Sequence, residues 1–117
     1  MKKILLVDDE EGIQLLYREE FEEQGYQVIS AYNGEEALKK FKADPPDLVV
    51  LDINMPGING IQVLREMKEM HPDLPIILSS AYQEYKQDFG TWASEEYIVK
   101  SANMDELKAA VNKLLGE

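Results

Sequence analysis

The sequence predicts a doubly wound α/β sandwich: a five-stranded parallel sheet between two layers of helices. Three observations carry this. Residues 4–7 and 48–51 are wholly apolar runs, the pattern of strands buried on both faces. Five strand-like runs alternate with five helical patterns. At 117 residues the chain has room for one compact domain, so a single domain over residues 1–117 is expected, with no space for an output domain beside it.

The elements follow in order. Strand one, residues 4–7, is stopped by Asp8-Asp9-Glu10. A helix is expected over 11–24, with Ile13, Leu16, Tyr17 and Phe21 inward and Gly25 as its stop. Residues 26–30 form a second, more polar strand. Asn33-Gly34 reads as a turn before a short helix over 35–42 that buries Ala37, Leu38 and Phe41. Asp44-Pro45-Pro46-Asp47 is a rigid break, and strand three, 48–51, ends at Asp52. A loop over 54–60 leads to a helix over 61–70 with Ile61, Leu64 and Met67 at spacing three. His71-Pro72-Asp73 turns the chain into strand four, 75–78, which ends at Ser79-Ser80. A weaker, more polar helix covers 83–90, strand five covers 97–99 and ends at Lys100, and the last helix covers 104–115 with Leu107, Ala110, Val111 and Leu114 inward.

The handedness of parallel crossovers restricts how these strands can be ordered. The polar second strand belongs at an edge, and the first and third belong in the centre. Order 2-1-3-4-5 satisfies both conditions and gives a flavodoxin-like (β/α)5 three-layer sandwich.

Composition excludes several function classes. There is no cysteine and one histidine, so disulfides, thiolate chemistry and histidine-cluster metal sites are out. Acidic residues outnumber basic ones 23 to 12, for a formal net charge of -11, which disfavours binding to nucleic acid or to anionic membranes and favours cations and basic partners. No apolar run approaches the ~20 residues of a membrane span. The apolar run after Met1-Lys2-Lys3 is too short for a secretory signal, so cytoplasmic residence is expected.

In a doubly wound sheet, ligands bind beyond the carboxyl ends of the strands where the strand order reverses, here between strands one and three. Those ends carry Asp8, Asp9 and Asp52, strand four brings Ser80 and strand five brings Lys100. Converging carboxylates repel unless a cation neutralises them, and all-oxygen ligands suit Mg²⁺. Such a metal could hold one phosphoryl oxygen, Lys100 a second, and the Ser80 hydroxyl could donate to a third. One carboxylate is then free to be a nucleophile. Asp52 fits that role, alone at the end of a central strand, and the pair Asp8-Asp9 fits the metal.

The motifs Ile4-Leu5-Leu6-Val7-Asp8-Asp9-Glu10, Leu51-Asp52-Ile53-Asn54-Met55-Pro56-Gly57 with Gly60, Leu78-Ser79-Ser80-Ala81 and Tyr97-Ile98-Val99-Lys100 make the chain resemble a receiver domain of bacterial two-component response regulators, chemotaxis-regulator-like, over about residues 3–115. The resemblance implies Asp52 as phosphoacceptor, Asp9 as direct Mg²⁺ ligand and Asp8 as its partner through water. It implies that the Asn54 carbonyl and Asp52 complete the metal site. Ser80 matches the switch hydroxyl, Lys100 the lysine that pairs with the phosphoryl group, and Tyr97 the aromatic rotamer switch. Asn54 and Tyr82 match positions that tune loss of the phosphoryl group.

The implied function is phosphoryl transfer from a sensor histidine kinase or phosphotransfer protein to Asp52, followed by self-hydrolysis. The chain would be a phosphoacceptor and not a turnover enzyme. The implied output is a change in the face built from the fourth helix, fifth strand and fifth helix, for a downstream protein or a homodimer. Tyr82, Tyr85, Phe89 and Trp92 lie in that region. Three departures stand out: Ser101 where proline is usual after the lysine, serine and not threonine at 80, and the long stretch 90–96. A phosphorylation-independent interaction module is the main alternative. A flavodoxin-type electron carrier would need a hydroxyl- and glycine-rich loop where Asp8-Asp9-Glu10 stands, and an aspartyl-phosphate hydrolase would need a substrate cap.

Overall fold

The computed structural model describes residues 1–52, 60–80, 96–99 and 104–116. Five strands, β1 (Lys3–Val7), β2 (Gln27–Ala31), β3 (Leu48–Asp52), β4 (Ile76–Ser80) and β5 (Glu96–Val99), form one parallel sheet in the order β2-β1-β3-β4-β5. The polar strand β2 is at an edge and β1 and β3 are central, as the apolar patterning requires. The described helices are α1 (Glu11–Glu23), α2 (Gly34–Ala43), α3 (Gly60–Met70) and α4 (Asp105–Leu115). The helix expected over 83–90 lies outside the described residues, so α4 is the last helix of the sequence reading.

The pleat sorts the strands' side chains into two cores. Leu5, Val7, Val49, Leu51, Ile76 and Leu78 pack against Ala37, Leu38 and Phe41 of α2 and Val63, Leu64 and Met67 of α3. Ile4, Leu6, Leu48, Val50 and Ile77 pack on the other face against Tyr17 and Phe21 of α1 and Leu107, Ala110 and Val111 of α4. The sheet is thus the middle of three layers, and β1 and β3 are sealed on both sides.

Local chemistry sets the element ends. Tyr26 N donates to Phe21 O and Gly25 N to Glu22 O, the paired bonds that close a helix on a left-handed residue, and Gly25 takes φ 94°. Asn33 caps α2 instead of forming a turn with Gly34, which is already helical. Its Oδ1 accepts from Glu36 N at 2.8 Å, and Glu36 Oε1 accepts from Tyr32 N at 2.8 Å, so side chain and helix start hold each other. One inward residue differs from expectation: Leu16 is 37% exposed, and Gln14 occupies the buried stripe with Tyr17 and Phe21. No helix among the described residues is long and apolar enough to cross a membrane.

Candidate functional site

Parallel pairing brings two aspartates together. Val7 pairs with Leu51, so Asp8 and Asp52 follow one step beyond on neighbouring strands. Asp52 continues the alternation of Leu48 and Val50, on the face covered by α1 and α4. Asp8 and Asp52 are buried, Asp9 is exposed, and each of the three offers a carboxylate oxygen lying within 4.8 Å of the others. The sequence expectation that Asp8, Asp9 and Asp52 converge at the reversal of strand order is met.

The loop that carries the pair is held by its own backbone. Asp8 N donates to Ala31 O at 3.0 Å. Asp8 Oδ1 accepts from Glu10 N at 2.9 Å, which turns the chain into α1. Like charges this close repel, and the low dielectric of a buried site strengthens that repulsion. A hard divalent cation relieves it, and three carboxylate oxygens with no imidazole or thiolate suit Mg²⁺. The donor set therefore fits the metal that the sequence implied.

Ser80 ends β4, paired with Val99 at the carboxyl end of the sheet, and Tyr97 lies two residues back on β5, paired with Leu78. The side chains of these two residues lie outside the described residues. Asn54 and Lys100 also lie outside them, as do Tyr82, Tyr85, Phe89, Trp92 and the Lys100–Ser101 bond.

Two buried polar residues escaped the sequence reading. Among the described residues, those buried with polar or charged side chains are Asp8, Gln14, Asp52 and Ser79, each 2% exposed. Gln14 Nε2 faces three main-chain carbonyls at the ends of β1 and β2. Ser79 is in register with Asp52 on the adjacent strand, and its buried Oγ has no partner among the described residues. Both had a signal. Gln14 sits at helical spacing with Tyr17 and Phe21, and Ser79 alternates with the inward Ile77.

A model of the response regulator receiver domain matches residues 4–112. The sporulation initiation phosphotransferase F of Bacillus subtilis is 38% identical over 116 residues, which is 97% of this chain and 94% of that protein. The alkaline phosphatase synthesis transcriptional regulatory protein PhoP of the same organism is 39% identical over 116 residues, but the match covers 48% of it. The chain thus spans about half the length of PhoP and nearly all of phosphotransferase F. Among solved structures, the response regulator TrrA of Thermotoga maritima, in complex with Mg²⁺-BeF, is 54% identical with a TM-score of 0.96, covering 98% of this chain and 100% of that one. TrrA in complex with the histidine kinase ThkA superposes with a TM-score of 0.92 at 54% identity, over 98% of this chain and 99% of that one. The chain belongs to the response regulator receiver domain family of two-component signalling.

Proposed function

We propose that this chain is a single receiver domain over residues 1–117 that takes a phosphoryl group from a phosphohistidine onto Asp52. The observation that supports this most is the convergence of the Asp8, Asp9 and Asp52 carboxylates within 4.8 Å at the reversal of strand order. A carboxylate oxygen of Asp52 attacks phosphorus in line as the P–N bond to the donor imidazole breaks, leaving an acyl phosphate. Bound Mg²⁺ supplies neutralisation of the phosphoryl oxygens. Asp8, Asp9, Asp52 and the main-chain carbonyl of Asn54 hold the metal. Lys100 takes a second phosphoryl oxygen with its ammonium, and the Ser80 hydroxyl donates to a third.

Water then attacks the acyl phosphate and restores the Asp52 carboxylate. The chain is therefore its own substrate and does not turn over an external one. Ser80 and Tyr97 carry the change from the phosphoryl group to the output face, which a downstream protein or a second copy reads. The donor is a sensor histidine kinase or a phosphotransfer protein in the cytoplasm. The kinase-bound form of TrrA, 54% identical, supports that class of partner.

The test is intact mass after incubation with Mg²⁺ and acetyl phosphate. Wild type gains one phosphoryl group only with Mg²⁺, and Asp52→Asn gains none. Beryllofluoride binding on the same samples separates rapid hydrolysis from failure to react. Absence of both in wild type favours a phosphorylation-independent interaction module.

A further inference from the structure

We propose that Gln14 is a positioning residue for the carboxylate pair Asp8-Asp9. Its amide ties the carboxyl ends of β1 and β2 together and fixes the main chain from which both carboxylates project. This rests on the cation-binding reading above and names a residue that reading does not use.

The contacts of the amide define its orientation. Gln14 Nε2 lies 2.8 Å from Ala31 O, 3.0 Å from Asp8 O and 3.2 Å from Leu6 O. Three carbonyl oxygens around one atom require a donor there, because the amide oxygen in the same place would face three like dipoles. Two N–H bonds serve three acceptors, so one is shared. The other end of the amide, Oε1, is buried and has no partner among the described residues. A methionine of similar length would fill the space with no orphaned acceptor. The side chain is thus accounted for by its donors and not by packing.

The donors act on a specific pair of torsions. The Asp8 carbonyl belongs to the planar Asp8–Asp9 peptide unit. Holding that oxygen fixes the rotations on either side of the peptide, which set the separation of the two side chains. Asp8 N also donates to Ala31 O, at 3.0 Å, and Ala31 O accepts from Gln14 as well. Both main-chain polar groups of Asp8 are therefore clamped in one closed ring of hydrogen bonds. Glu10 N, which donates to Asp8 Oδ1, lies one residue beyond Asp9 and depends on the same geometry.

The test uses the full chain with Gln14→Met, which removes both donors, and Gln14→Asn, which keeps them on a shorter arm. Mg²⁺ affinity is measured by calorimetric titration, and amide hydrogen exchange is measured without metal. Loss of a group that orients a metal site weakens binding by 10- to 100-fold in typical cases, and for Gln14→Met about tenfold is expected because the effect passes through the backbone. Gln14→Asn falls between it and wild type. Exchange at the Asp8 and Glu10 amides quickens in both variants beyond any change at Val49 and Val50, which a general loss of stability would move alike. Mg²⁺ binding within about twofold of wild type in both variants, with uniform exchange, overturns the proposal. Failure of wild type to bind Mg²⁺ sinks the cation-site reading instead, and the exchange pattern still decides whether Gln14 clamps Asp8.

Discussion

The two ends of the same sheet treat charge in opposite ways. At the amino end, opposite charges and hydrogen bonds meet. Lys3 N donates to Asp47 Oδ2 at 2.7 Å, Asp47 N donates back to Lys3 O at 2.8 Å, and the Lys3 ammonium pairs with Asp44. At the carboxyl end, three carboxylates converge, two of them buried, beside two buried polar atoms, Gln14 Oε1 and Ser79 Oγ, that have no partner among the described residues. The same strands supply both ends, and the same two apolar cores lie between them. Stability alone explains the amino end. The carboxyl end is explained by a cation and a reaction, because functional sites are where proteins cluster like charges that folding alone does not require.

Four substitutions sharpen that contrast, beginning with the core both ends share. Leu6→Ala, at a site 1% exposed, should cost about 2–5 kcal/mol in urea unfolding. A loss near zero would mean that the central strands do not carry the fold. Asn33→Ala, remote from both ends, should cost about 1 kcal/mol by removing the bond to Glu36 N, read as a lower denaturation midpoint. Asp47→Ala should also cost about 1 kcal/mol while leaving Mg²⁺ affinity unchanged, since it breaks only amino-end bonds.

The smallest effect concerns the surface pair between α1 and α4. The hydrogen bond from Lys108 to Glu20, 2.7 Å long, holds the Lys108 ammonium above its usual 10.5. A base whose affinity for its proton is raised by folding stabilises the fold below its unfolded value and loses that contribution as pH climbs through the folded value. Glu20→Gln should therefore be slightly less stable than wild type near neutral pH, and the gap should start to close only as pH passes 10.5 and vanish above the raised folded value. A difference that persists at high pH would assign the effect to packing.

Much of this was readable in the chain, for identifiable reasons. The strand order followed from apolar runs at 48–51 and 4–7 against the polar run of β2, because burial on both faces leaves no room for alternation. The carboxylate cluster followed from aspartates placed just past those runs, since parallel register aligns strand ends. Leu16 and Gln14 were not readable by hydropathy. Three carbonyl ends needed a donor, and that need outweighed the preference for leucine at an inward position. Ser79 was hidden beside Ser80, because two like residues end the strand and only burial and register with Asp52 single out Ser79. Asn33-Gly34 carries the same residues as a tight turn, and only the bond that Asn33 Oδ1 accepts from Glu36 N makes Asn33 a cap.

Held for a cation, the clustered charge of the carboxyl end comes at the expense of stability. Denaturant unfolding of wild type and Asp52→Asn, each with and without Mg²⁺, tests it most directly. Without Mg²⁺, Asp52→Asn should be the more stable by about 1–2 kcal/mol, because one converging charge is gone. Mg²⁺ should then stabilise wild type more than the variant. A variant less stable than wild type without Mg²⁺, with both proteins responding equally to the metal, would contradict the account.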